Sequence, residues 1–210
     1  MTAEAQIKDY LELLSSKAPV PGGGGASALA GALGDSLGQM VVHLTLGKKR
    51  YAQAEQDMLN YERELKRLQQ EFLMLADKDA EVFAPLAAAY GMPSSTKEEQ
   101  EEKQGVMEER LLAASLVPLQ MMEKIMRQCM DILGLLEEKG SKMAVSDVGV
   151  AAQMARAALN GAVMNVYINT KSMKNRDKAE ELNDKAEKLI EAGTKQADEI
   201  YSRVLNKLRG

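Results

Sequence analysis

Apolar positions recur every three or four residues along most of the chain and almost nowhere alternate singly, so the pattern predicts helices throughout. Residues 3–16 place Ile7, Leu11 and Leu14 on one helical face. The stretch Pro19-Val20-Pro21-Gly22-Gly23-Gly24-Gly25-Ala26 reads as a loop, fixed at its entrance by proline and freed afterwards by glycine. From Ser27 to Leu46 a helix is apolar nearly all round and should be central; Gly31, Gly34 and Gly38 mark where another backbone comes close. Gly47 ends it. Tyr51 to Tyr90 forms one long helix with a seam of Met58, Tyr61, Leu65, Leu68, Phe72, Leu75, Asp79, Val82 and Leu86. Asp79 stands where leucine is expected, whereas Asp77 falls off the seam and reads as solvated.

Gly91-Met92-Pro93 breaks the pattern, and Ser95-Thr96-Lys97-Glu98 is a capping box for the next helix. That helix turns apolar from Met107 to Leu136, with a kink expected at Pro118, and Gly140 closes it. Ser146 caps a further small-residue helix from Asp147 to about Lys171, carrying Asn165 and Asn169 one turn apart on one face. A charged last helix, about Arg176 to Leu208, has a thinner stripe and should pack at the periphery or against a second copy. The predicted fold is all-α, a multi-helix antiparallel bundle with long helices in one domain spanning residues 1–210.

Composition narrows the function. A net charge of −4, no tryptophan and two phenylalanines argue against a nucleic-acid or membrane-surface binder. The single Cys129 allows no disulfide framework or cysteine-based metal site and reads as a small buried hydrophobe. The N-terminus lacks a basic segment followed by an apolar core, and the glycine-rich run from Pro19 to Leu46 is a poor membrane span; a cytoplasmic location is expected.

No HExxH, Walker lysine or arguable Ser–His–Asp set is present, and the glycines do not fit a dinucleotide fingerprint. What remains is a glycine-lined helix start, whose N–H groups and dipole suit an anion, although such a loop also serves as a plain linker. Lys48, Lys49 and Arg50 either hold an anionic group or only complement a helix C-terminus. Asp79 and Asp147 are acids expected among packed helices, where a carboxylate is costly unless it is paired or functional. His43 is a base or a hydrogen-bonded core histidine. The set suits a ligand with an anionic tail and a polar heterocycle.

Pro21 to Ser27, Gly38 to Val41, Leu44 to Tyr51, Asp77-Lys78-Asp79-Ala80, and the run from Ser146 to Asn169 together resemble the formiminotetrahydrofolate cyclodeaminase / methenyltetrahydrofolate cyclohydrolase family. The resemblance implies an all-helical dimer with folate in a cleft near the subunit contact. It implies a tetrahydrofolate derivative as substrate, with no resident cofactor and no metal. On that footing Asp79 and Asp147 become the acid/base and cation-stabilising groups, and Lys48 the third catalytic choice. Lys49 and Arg50 would hold the glutamate tail. Gly22, Gly23, Gly24, Gly25 and Ser27 would pack against the ligand, and Asn165 and Asn169 would read the pterin edge. The residues do not separate cyclodeaminase from cyclohydrolase. The competing reading is a non-catalytic helical dimerisation or scaffold protein, supported by the long seam and the charged last helix.

Overall fold

The structure, a computed structural model, describes residues 2–210, without the side chains of Ala3 and of residues 128–130. The reading of Cys129 falls on side chains outside that description. Seven α-helices are present among the described residues: α1 (Ile7–Leu14), α2 (Gly23–His43), α3 (Glu55–Tyr90), α4 (Lys97–Arg127), α5 (Gly134–Lys139), α6 (Val145–Thr170) and α7 (Arg176–Arg209). No described residue is in a strand. None of these helices is long and apolar enough to cross a membrane.

α2 is the centre, as its all-round apolar character requires, packed between α3 and α6. Both neighbours run antiparallel to it. Going along α2, Gly24, Gly31 and Gly38 meet Asp79, Phe72 and Leu65 of α3 in turn. On the other side Ser27 lies under Gly161 of α6, where an added Cβ would sit 2.2 Å from the Ser27 hydroxyl. Near the far end, the Thr45 hydroxyl donates to the Val41 carbonyl and accepts from the Ser141 N–H at 2.8 Å. α4 runs back along α3, held by Lys124–Glu71 (2.8 Å) and Arg127–Glu64 (2.7 Å). α7 covers α6 and α4: Val204 packs against Gly149, and Met126 and Leu159 close on Gly193. Its C-terminal end is anchored by Glu137, a buried acid bridged by Arg203 at 2.8 Å and by Lys207. Burial opposes the charge on Glu137, but these two cations outweigh it and draw its pKa down.

Several boundaries differ from expectation, each for a local reason. The first predicted helix is split into a 3-10 turn, Thr2–Glu4, and α1, and its apolar face is open, with Ile7 80% exposed. Three of the four loop glycines form the first turn of α2, with Gly22 as its N-cap. The helix stops at His43 rather than Leu46, and Gly47 then takes a positive φ of 70°. The long third helix begins only at Glu55, after a 3-10 segment over Lys49–Ala54. The capping box is one residue later than expected: Thr96 and Glu99 exchange side-chain to backbone bonds at 3.2 and 3.1 Å. α4 runs through Pro118, and the irregularity comes at a π-helical segment, Gln128–Leu133. Ser146 lies inside α6, whose N-cap is Ala144. Asp77 accepts from the Thr2 N–H at 2.6 Å instead of facing water alone. His43 is neither buried nor core; its Nε2 lies 2.8 Å from half-buried Glu62.

Candidate functional site

The seam of α3 puts Asp79 where a leucine would point inward, and the antiparallel course of α2 brings the start of that helix to meet it. The Gly25 N–H donates to Asp79 Oδ2 at 3.1 Å. The anion expected at this helix start is therefore the protein's own carboxylate, which satisfies one of the donors left over in the first turn. Gly24 is glycine because a Cβ there would lie 2.2 Å from Asp79 Oδ1. Burial raises the Asp79 pKa, and the Gly25 bond only partly offsets it. Such a carboxyl exchanges a proton nearer to neutrality than an exposed one.

Asp79 lines a cavity of about 140 Å³ together with Gly22, Gly23, Asn165 and Asn169. Pro19, Val20, Val82, Phe83, Ala114 and Ile168 complete its walls. The two amides are fixed through their N–H groups: Asn165 Nδ2 donates to the Gly161 carbonyl at 2.9 Å, and Asn169 Nδ2 to the Ala114 and Asn165 carbonyls at 3.0 and 2.8 Å. That arrangement turns both amide oxygens over to other donors. Two oxygens and a carboxylate make an acceptor-rich wall, suited to a ring bearing N–H groups.

The remaining proposed residues fall elsewhere. Gly24, Gly25 and Ser27 stand behind the cavity; the Ser27 hydroxyl donates to the Gly23 carbonyl at 2.7 Å. Asp147 lies in the first turn of α6, and eighteen residues at helical rise separate it from Asn165 by about 27 Å. Lys48, Lys49 and Arg50 lie beyond the other end of α2, about 30 Å of helix from Gly23. There the Tyr51 hydroxyl accepts from the Lys142 N–H at 3.0 Å. One chain thus holds Asp79 and the amide pair at one end, and the basic cluster and Asp147 at the other.

Sequence reasoning placed Val82 on the seam but gave neither it, Phe83 nor Tyr10 a part in the site. Val82 and Phe83 follow Asp79 by about one helical turn and were legible from that spacing. Tyr10, beside Leu14 on the apolar face of α1, brings its hydroxyl to 3.4 Å from where a Gly25 Cβ would stand. The hydroxyl is buried without a hydrogen-bond partner among the described residues, and burial followed by the Asp79 charge makes it hold its proton more tightly.

Comparison with known proteins agrees with this arrangement of helices. A family model described as formiminotransferase-cyclodeaminase matches residues 6–188. The chain is similar to a methenyltetrahydrofolate cyclohydrolase of Methylorubrum extorquens, 36% identical over 99% of this chain and 100% of that protein. It is 30% identical to a formimidoyltransferase-cyclodeaminase of Gallus gallus over 94% of this chain, and spans 36% of that longer protein. A solved formiminotetrahydrofolate cyclodeaminase from Thermotoga maritima has the same fold, with a TM-score of 0.81 at 24% identity over 98% of this chain and 100% of its own. On the family match and the full-length relative together, the chain belongs to the formiminotransferase-cyclodeaminase family.

Proposed function

We propose that the protein is a folate one-carbon enzyme that opens or closes the methenyl bridge between N5 and N10 of tetrahydrofolate. The observation that carries this reading is the cavity at the start of α2 that Asp79 lines together with Asn165 and Asn169. Hydrolysis adds water to the methenyl carbon, and the tetrahedral carbon then releases N5 to give 10-formyltetrahydrofolate. Cyclodeamination has N10 attack the formimino carbon, and ammonia leaves. Each needs a proton removed from the attacking group and one delivered to the departing nitrogen, which a carboxyl of raised pKa can serve. Asn165 and Asn169 would accept from the N–H edge of the pterin. The higher identity to a cyclohydrolase makes hydrolysis the first assay.

The test follows the absorbance of the methenyl chromophore with each substrate. Asp79→Asn keeps the size and the bond from Gly25 but removes the proton, and turnover should fall by about 10²–10⁴-fold with the fold intact. Full turnover in that variant, with unchanged thermal unfolding, would refute the assignment. The two supports of the scaffold reading are both taken up inside the chain: the α3 seam packs on α2 and α4, and α7 packs on α6 and α4.

The working unit in this reading is a homodimer. Leu33 and Met40 of α2 with Leu44 just past its end, and Val150, Met164 and Ile168 of α6, form exposed apolar rows on adjacent helices, Met164 and Ile168 at 62% and 63% exposure. Rows of this extent favour a partner surface. Ile168 also lines the cavity, so the rows run to its mouth. A two-fold axis lying in that face and crossing the helices at right angles would carry Lys48, Lys49, Arg50 and Asp147 of a second copy toward Asp79. Met164→Glu should then yield a folded monomer by sedimentation with greatly reduced turnover. An unchanged sedimentation coefficient would rule out this face.

A further inference from the structure

We infer that the anionic tail of the folate lies in a second cavity of the same chain, against Lys103 and Lys174. This rests on the folate reading above. The first cavity, about 140 Å³, is smaller than the roughly 300–1,000 Å³ of a site that encloses a drug-sized ligand, so it takes one end of a folate and not the whole. The rest of the molecule has to leave it. A cavity of about 370 Å³ opens next to it, lined among others by Lys103, Gln104, Leu111, Ser172 and Lys174.

The two cavities share α4 and meet again at the end of α6. Ala114 walls the first and Leu111 the second, three residues apart on α4. Asn169 of α6 walls the first, and Ser172, in the turn just beyond the end of α6, walls the second. Three residues of helix cover about 4.5 Å, so a benzoyl-sized link spans from one to the other. Leu111 and Met107 give the second cavity an apolar floor for such a ring.

Its polar side suits carboxylates. The Lys103 ammonium donates to the Tyr90 and Met92 carbonyls at 2.8 and 3.0 Å, which uses two of its three protons and fixes it at the rim. The Lys174 ammonium is held by the neutral Gln104 side chain. The carboxylate in the lining, Glu108, accepts from the backbone N–H groups of Lys174 and Asn175 at 2.8 and 3.0 Å. It orders the turn that presents Lys174. Within one chain Lys49 and Arg50 lie about 30 Å of helix away, so they could meet the tail only from the second copy of the dimer, which is the competing placement.

The experiment measures turnover of monoglutamyl and triglutamyl methenyltetrahydrofolate by the full-length protein. Lys174→Glu should raise KM for the triglutamate by about tenfold and for the monoglutamate less, with kcat little changed and the difference shrinking at high salt. Lys174→Arg should restore KM. Gln104→Glu keeps the lysine but gives it an internal counter-ion, so it should raise KM in the same direction without removing any contact to the backbone. Unchanged KM in both charge variants, with KM moved instead by Lys49→Gln or Arg50→Gln, would overturn the assignment. A wild-type protein that turns over neither substrate, and whose melting temperature tetrahydrofolate does not shift, would instead remove the folate reading and this proposal with it.

Discussion

Gly24→Ala is expected to abolish most of the activity, by about 100-fold or more, while the chain still folds. An alanine at this place would ordinarily help, since glycine inside a helix costs about 1 kcal/mol relative to alanine. Here its Cβ would stand 2.2 Å from Oδ1 and 2.4 Å from Cγ and Oδ2 of Asp79. No two unbonded atoms approach so closely, so the carboxylate has to leave. Leaving breaks the bond from the Gly25 N–H and uncaps the start of α2, a loss of about 0.5–2 kcal/mol. The helix-propensity gain and the lost cap nearly cancel in stability, so thermal unfolding should move by only a few degrees. Catalysis has no such compensation, because the acid is displaced from the cavity. The same substitution one residue earlier gives the contrast: at Gly23 the nearest atom is Asn165 Nδ2 at 3.6 Å, an ordinary contact, and Gly23→Ala should fold at least as stably. A double-mutant comparison isolates the cause. If Gly24 acts through Asp79, adding Gly24→Ala to Asp79→Asn should lower kcat little further. Equal losses in both backgrounds would mean that Gly24 acts on something else.

Much of this site was legible because it breaks patterns that the rest of the chain keeps. Asp79 was visible as an acid on a leucine seam, and Asn165 and Asn169 as an amide pair on a small-residue helix. Periodicity reports which face a residue occupies. It does not report which ends of two helices meet, and so it grouped Lys48, Lys49, Arg50 and Asp147 with residues a whole helix length away. The loop reading of Gly23 to Gly25 failed for a tertiary reason. Glycine propensity argues against a helix there, but Asp79 supplies a cap that the local sequence lacks. Ser146 failed in the opposite sense: it is a good cap by composition, yet α6 starts one residue before it. Tyr10 shares the apolar face of α1 by spacing, but nothing local pointed to Asp79, almost seventy positions further on. Asp35 was passed over because one acid among alanine, glycine and leucine does not change a helix that is apolar nearly all round.

Asp35 nevertheless has the largest expected effect on stability. It is fully buried in α2, and neither carboxylate oxygen has a hydrogen-bond partner among the described residues. Burial first, and then the charges of Glu64 and Glu71, push its pKa from 3.8 up to about 8. The cations nearby are already committed: Arg67 and Arg127 pair with Glu64, and Lys124 with Glu71. A carboxyl that holds its proton tightly only when folded takes up a proton on folding. Its contribution is therefore most favourable at low pH, declines as pH rises from about 4 to 8, and is lost above that. A rise of that size sets an upper limit of about 6 kcal/mol on the decline. Glu64, whose pKa is lowered by its bond to Arg67, acts in the opposite sense but only near and below its ordinary value of 4.5, at the acid edge of this window. Asp35→Asn removes the titration and keeps the shape. Urea unfolding between about pH 5 and 9 should show the wild type losing stability with rising pH, and the variant nearly flat. The variant should lead by no more than about 2 kcal/mol at about pH 5 and by several kcal/mol at about pH 9. Parallel curves would show that Asp35 is paired or hydrated in solution, and that α2 is not carrying a neutral acid in its core.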